Sequence, residues 1–273
     1  MTDARISYGK LSVPVHLVRG ERLLAADVSM EVLGQGFLPA YTEGDNSAVV
    51  ATDTMKNVIL RRAHEYDGET LEGLLYDLGR GFLETYPEME GLRLWAEAQP
   101  WVPESGKLFR RVEGDHAIAT LELAPGGGVI DHEAGHVGLQ LLKTTGSAFT
   151  KFARDDDTTL PERKDRPLFI HLDVRWKYGD ATDAVGDAHV PSGDVLAVVL
   201  ETFDELVSES IQHLVYEMGQ RVLASFPALT QVSFRGENHT YDPVPGAADA
   251  DPLAKTYTSP FPAWGLITLV LDR

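Results

Sequence analysis

The chain of 273 residues contains no cysteine. That absence excludes a disulfide scaffold, a thiolate-held zinc or iron–sulfur centre and a cysteine nucleophile, so any catalysis must run on oxygen and nitrogen groups. Basic charge is scarce as well: 24 Lys and Arg stand against 42 Asp and Glu, a formal net charge of −18. A surface of that sign lacks the cationic footprint that binding to phosphate backbones requires, so nucleic acid is not an expected partner. No apolar run approaches the roughly 18 residues of a membrane span. The start, Met1-Thr2-Asp3-Ala4-Arg5, carries no apolar signal-peptide core. A cytoplasmic protein without a membrane partner is the expectation.

What is present is a hydrophobic fraction of 43%, enough for a large packed core. Val13, Val15 and Leu17 alternate with Pro14, His16 and Val18, and Gly20-Glu21 interrupts the stretch, which predicts a hairpin of two strands. Thr52, Asp53 and Thr54 are favoured helix-capping types ahead of a helix over Met55–Glu65. Leu71, Leu74, Leu75, Leu78 and Phe82 form one helical stripe that ends near Pro87. Short turn-bounded segments over Leu92–Val102, Lys107–Val112 and His116–Leu123 read as strands. Gly126-Gly127-Gly128 is the best internal boundary and divides the chain into 1–127 and 128–273.

After that boundary the order repeats. Extended segments lie near Val137–Thr144 and Leu168–Tyr178. A single long helix is predicted over Asp194–Ala224, with Leu200, Phe203, Val207, Ile211, Leu214, Met218 and Val222 as its stripe, followed by strands near Val232–Asn238 and Ala263–Leu271. Each half reads strand–strand–helix–strand–strand. The fold class is therefore α+β, with antiparallel sheets that bury the helical stripes against one face.

One literal motif stands out: His132-Glu133-Ala134-Gly135-His136, the H-E-x-x-H pattern that holds zinc when it lies on a helix, with the Glu as general base. Its glycine, the glycine triplet upstream and the alternating Val137, Leu139 and Leu141 fit a helix poorly. A zinc hydrolase nonetheless stands as one alternative. Asp155-Asp156-Asp157 does not continue as a calcium loop and reads as a solvated acidic turn.

Several patches, in order, resemble those of the urate oxidase (uricase) family. They are Tyr8-Gly9-Lys10, Thr42 through Asn57, Leu141-Leu142-Lys143-Thr144-Thr145-Gly146-Ser147-Ala148-Phe149, Thr158-Thr159-Leu160, Asp165-Arg166, Ser210-Ile211-Gln212 and Gly236-Glu237-Asn238-His239-Thr240. Any one of them taken alone has an ordinary explanation as cap, core or surface; the shared order and spacing carry the resemblance.

The resemblance implies two tandem tunnelling-fold (T-fold) modules, a homotetramer enclosing a β-barrel tunnel, and active sites at subunit interfaces. It implies oxidation of urate by dioxygen without cofactor or metal. Lys10 and Thr52 would form a proton relay with His239. Arg166 and Gln212 would clamp urate in its plane, and Phe149 would stack on it. Backbone groups of Asp53 and Ile211 would complete the in-plane contacts, and Asn238 would hold dioxygen or water above the ring. Adjacent residues of a strand point to opposite faces, so either His239 or Thr240 takes the third relay place beside Asn238. A purine-binding T-fold protein without turnover is the second alternative.

Overall fold

The computed structural model describes residues 5–239, 241, 244, 256–259 and 262–273. In chain order the elements are β1 (Ser7–Arg19), β2 (Arg22–Leu33), α1 (Leu38–Thr42), α2 (Thr52–Glu65), α3 (Leu71–Thr85), β3 (Gly91–Ala98), β4 (Trp101–Ser105), β5 (Leu108–Arg111), β6 (His116–Leu123), β7 (Val129–Lys143), β8 (Leu168–Tyr178), α4 (Ser192–Glu205), α5 (Ile211–Ser225), β9 (Leu229–Asn238) and β10 (Gly265–Asp272). They form two compact units, Met1–Gly135 with Trp176–Pro191, and His136–Arg175 with Ser192–Arg273. Both β7 and β8 contribute residues to each unit.

In the first unit β1, β2, β3 and β6 lie side by side, each pair antiparallel. The predicted alternation holds: Val13, Val15 and Leu17 are buried, whereas Pro14, His16 and Val18 are exposed. Helices α2 and α3 pack on this sheet. The α3 stripe predicted from sequence is buried throughout, Leu71, Leu74, Leu75, Leu78 and Phe82. Each such side chain contributes about 1.5–3 kcal/mol, which makes α3 the chief clamp on its sheet. Thr70 caps it, its hydroxyl accepting the Gly73 N–H at 3.1 Å. The glycine triplet forms the turn between β6 and β7, with the Gly127 N–H on the Ala124 carbonyl at 2.9 Å and positive φ at Gly126 and Gly127.

In the second unit β8, β9 and β10 adjoin, and α5 packs on β9 and β10. Strand β8 alternates strictly, with Leu168, Ile170, Leu172 and Val174 buried and Phe169, His171 and Asp173 on the other face. The helical arm departs from expectation. The predicted single helix is two, because residues 206–210 leave the helical path and pair with the segment after β7. Ala148 N–H donates to the Ser208 carbonyl at 2.8 Å, and Ser208 N–H to the Gly146 carbonyl at 3.1 Å. Val207, assigned to the stripe, is 66% exposed. A continuous period of 3.6 thus arose from two separate helices that happen to stay in phase.

Further boundaries move. The segment read as Leu92–Val102 breaks at Gln99-Pro100, where proline cannot donate to the ladder, and gives β3 and the separate β4–β5 hairpin. Helix α2 begins at Thr52 rather than Met55. Its N-cap is Ala51, and among the described residues no side chain caps it. Among the described residues no helix is long and apolar enough to cross a membrane.

Candidate active site

The Tyr8-Gly9-Lys10 patch positions the start of α2. The Tyr8 hydroxyl accepts the Val50 N–H at 2.9 Å, and its ring meets Phe37 edge-on at 4.7 Å. Burial pushes the Tyr8 hydroxyl's pKa up, with the Val50 bond opposing. A side chain at position 9 would collide with the Met30 carbonyl oxygen, so only glycine allows β1 to lie this close to β2. Immediately beyond Lys10 the ladder bulges: the register shifts between Lys10 and Val13, and Ser12 takes φ 52°, its N–H donating to Ser29 Oγ at 2.9 Å.

Because α2 starts at Thr52, the Thr52 hydroxyl does not serve as a cap. The first helical bond is Met55 N–H to the Ala51 carbonyl at 3.1 Å, so the amides of Thr52, Asp53 and Thr54 have no acceptor within the helix. Asp53 lies in this first turn. Its carboxyl is held below the usual carboxylate range, first by the Lys56 ammonium at 2.5 Å, then by Asn57, with the Lys10 charge adding to it. Lys10 therefore stands within electrostatic reach of the α2 N-terminus.

The second unit assembles the remaining residues. Phe149 pairs with Arg163 in a two-bond bridge of 2.7 and 2.9 Å, and its ring stacks on Phe152 at 4.9 Å, 9° from parallel. The Arg166 N–H donates to the Ser147 carbonyl at 2.9 Å, and its guanidinium carbon sits 5.5 Å from the Phe149 ring centre. The preceding residue, Asp165, fixes the turn by accepting from Thr145 Oγ1 and Gly146 N–H, both at 2.8 Å. Arg166 Nε is buried without a hydrogen-bond partner among the described residues. Burial, then the charge of Arg163, lowers its pKa, so this cation is held where an anionic partner would stabilise it.

The break between α4 and α5 places Ile211 and Gln212 at a helix start. Ser210 caps α5, its hydroxyl accepting the His213 N–H at 3.1 Å, so Ile211 and Gln212 are the first two helical residues, Ile211 buried and Gln212 exposed. Their amides lie at the positive end of the helix, where anions are favoured. The Lys143 ammonium holds the break open by donating to the carbonyls of Phe203, Asp204 and Leu206 at 3.0, 2.7 and 2.8 Å. Sequence reasoning assigned no role to Lys143, Asp165 or Phe152. The Ser210-x-x-His213 cap spacing was the one available sign of the helix break.

Asn238 ends β9 in the row of Val232, Phe234 and Gly236, which are buried. His239 continues the opposite row. It is 6% exposed, its ring stacked between His171 at 3.8 Å and Trp264 at 3.9 Å, and its N–H donates to the Phe169 carbonyl at 2.9 Å. Thr240, the other candidate for the relay, lies outside the described residues.

The H-E-x-x-H motif is not helical. It lies within β7, where four residues span about 13 Å, too far for His132 and His136 to share one ion. His132 Nε2 instead accepts the Tyr178 N–H at 2.7 Å. The zinc-hydrolase expectation rested on helical spacing and fails with it.

The sequence matches the uricase family over residues 15–119 and 132–268. The chain belongs to the uricase family. The uricase of Haloferax volcanii is 40% identical over 273 residues, covering 93% of this chain and 88% of that protein. The uric acid degradation bifunctional protein of Bacillus subtilis is 37% identical, covering 93% of this chain and 55% of its own length. Among solved structures, a uricase from Bacillus fastidious superposes with a TM-score of 0.91 at 32% identity, over 99% of this chain and 94% of that one. The α+β tunnelling-fold architecture expected from the resemblance is that of these uricase structures. The gap between the two matched spans contains the β6–β7 turn, and Thr52, Asp53, Phe149, Arg166, Ile211, Gln212, Asn238 and His239 fall within the spans, with Lys10 just ahead.

Proposed function

We propose that this chain oxidises urate with dioxygen and water to 5-hydroxyisourate and hydrogen peroxide. Membership of the uricase family supports the reaction. The observation that carries the site is Arg166: a part-buried guanidinium over the Phe149 ring, with a buried Nε that has no partner among the described residues and a second cation adjacent. A planar anion with in-plane acceptors satisfies that arrangement, as its oxygen and nitrogen atoms accept from the guanidinium fork while its π-face covers Phe149.

In this reading Gln212 holds the far edge of the purine, and the backbone groups of Ile211 and Asp53 add in-plane contacts from two helix N-termini. Held flat and deprotonated, urate is electron-rich enough to reduce dioxygen without a cofactor, so the protein supplies orientation and proton transfer. Thr52 and Lys10 pass the proton, His239 or Thr240 completes the relay, and Asn238 holds dioxygen or water over the ring. The chain is divided into modules 1–127 and 128–273, and works in the cytoplasm as a homotetramer. Its barrel tunnel places the Lys10/Thr52 side of one subunit beside the Arg166/Gln212 side of another.

Loss of urate absorbance together with oxygen uptake tests the reaction. Stoichiometric consumption of both is expected; urate bound without turnover would leave a purine-binding protein instead. Lys10→Met should cut kcat far more than it changes urate affinity, and equal losses in both would remove Lys10 from the relay.

A further inference from the structure

The geometry points to a site for a borderline divalent cation of the zinc type on the sheet face of the second unit, held by His171, Glu237 and His239. The three donor atoms already lie within 4.8 Å of one another. The fold brings them together by register: His171 is in the row of β8 that faces away from the helices, and Glu237 and His239 continue the corresponding row of β9.

His239 supplies the decisive observation. Its side chain is 7% exposed, yet Nε2 has no hydrogen-bond partner among the described residues and faces Glu237 Oε2 at 3.6 Å, beyond hydrogen-bond range. A buried ring nitrogen aimed at a carboxylate across such a gap fits an ion that both would ligate. The surroundings hold Glu237 and His239 as outer-shell partners of metal sites do. Arg235 Nη1 holds Glu237 Oε1 at 2.8 Å, which leaves Oε2 toward the imidazole, and Trp264 covers the outer face of the His239 ring.

Two imidazole nitrogens and one carboxylate oxygen select zinc-like ions, since magnesium and calcium take oxygen ligands. Zinc bonds of about 2.0–2.2 Å require donors roughly 3.3 Å apart; Glu237 Oε2 and His239 Nε2 at 3.6 Å are already near that spacing, so the triangle closes chiefly by side-chain rotation of His171, with a fourth position open to water. An ion on His239 Nε2 takes that ring out of the proton relay, so the inference goes with Thr240 in the third relay place, and no step of the urate chemistry passes through the ion.

The test uses the full chain after chelator treatment, titrated with Co2+ and followed by its visible d–d absorption, then with Zn2+ by calorimetry. The expected result is one Co2+ per chain with tetrahedral-type bands that Zn2+ abolishes. His171→Asn and Glu237→Gln should each weaken binding by more than about tenfold, with unchanged thermal melting in the absence of metal. His64→Ala, at an exposed histidine elsewhere, should leave it unaltered. Absence of the bands, or full-strength binding in both folded His171→Asn and Glu237→Gln chains, overturns the site.

Discussion

The guanidinium carbon of Arg166 lies 5.5 Å from the centre of the Phe149 ring. Both residues are held by backbone bonds of one small bridge, Phe149 to Arg163 and Arg166 to Ser147, rather than by each other. The cation and the ring are therefore set in place before any ligand arrives. Preorganisation of this kind lowers the ordering cost of binding and favours a flat anion over a flexible one.

Arg166→Lys keeps the charge and loses the planar fork. Urate kcat/KM should fall about 100-fold, chiefly through KM, while the melting temperature changes little. Steady-state kinetics beside a thermal melt check it; an unchanged KM would take Arg166 out of the binding edge.

If each site combines residues of two subunits, inactive chains can complement one another. Lys10→Met and Arg166→Met should each be nearly inactive. Co-refolded or co-expressed, they should regain a measurable share of wild-type turnover. Mixed assemblies with no recovered activity would mean that both halves of the site come from one chain.

Lys143→Met removes the ammonium that gathers three carbonyls at the end of α4. The loss should cost about 2 kcal/mol or more of stability, read from urea unfolding, because those carbonyls lose a charged donor. Loosening the α4–α5 break should also raise urate KM through Ile211 and Gln212. A variant with wild-type unfolding would show that the break holds without this contact.

The His132 ring accepts the Tyr178 N–H, and burial lowers its pKa, with Lys177 adding to the effect and Asp131 and Asp180 opposing it. The folded chain thus keeps the ring neutral where the unfolded chain protonates it, so the unfolded state binds more protons as pH falls below about 6.5. This contribution to stability is fully present above that value and is lost on acidification. Melting temperature against pH should show the loss, and His132→Gln, which keeps an acceptor but cannot titrate, should flatten that part of the profile. Parallel profiles for the two chains would remove His132 as the cause.

The legible parts of this protein are those whose cause is local. The alternation of Val13, Val15 and Leu17 announces a half-buried strand, and the Leu71–Phe82 stripe announces α3, because side-chain period follows directly from backbone geometry. The patches Tyr8-Gly9-Lys10 and Asp165-Arg166 could be noticed in sequence. Their reasons could not: Gly9 is fixed by a close approach to Met30, and Asp165 by a bond to Gly146 across the turn. The H-E-x-x-H pattern misleads for the complementary reason. Its spacing carries zinc chemistry only on a helix, and neighbouring strands draw residues 132–136 into a sheet.

The sequence by itself determined the α+β class, the exclusion of thiol chemistry and the set of residues that resembles one family. Tertiary structure decided that Thr52 and Ile211 each open a helix, the first because Ala51 takes the cap and the second because the chain around Ser208 pairs with the chain after β7, behind the Ser210 cap. Helical periodicity is blind to that break, since apolar residues on either side remain in phase. What ended the helix was hydrogen bonding to a segment some sixty positions away, with Ser208 Oγ on Ser147 Oγ at 3.4 Å and Lys143 on the freed carbonyls. Long-range pairing of backbone groups that would otherwise be buried unsatisfied outweighs the local preference to continue a helix.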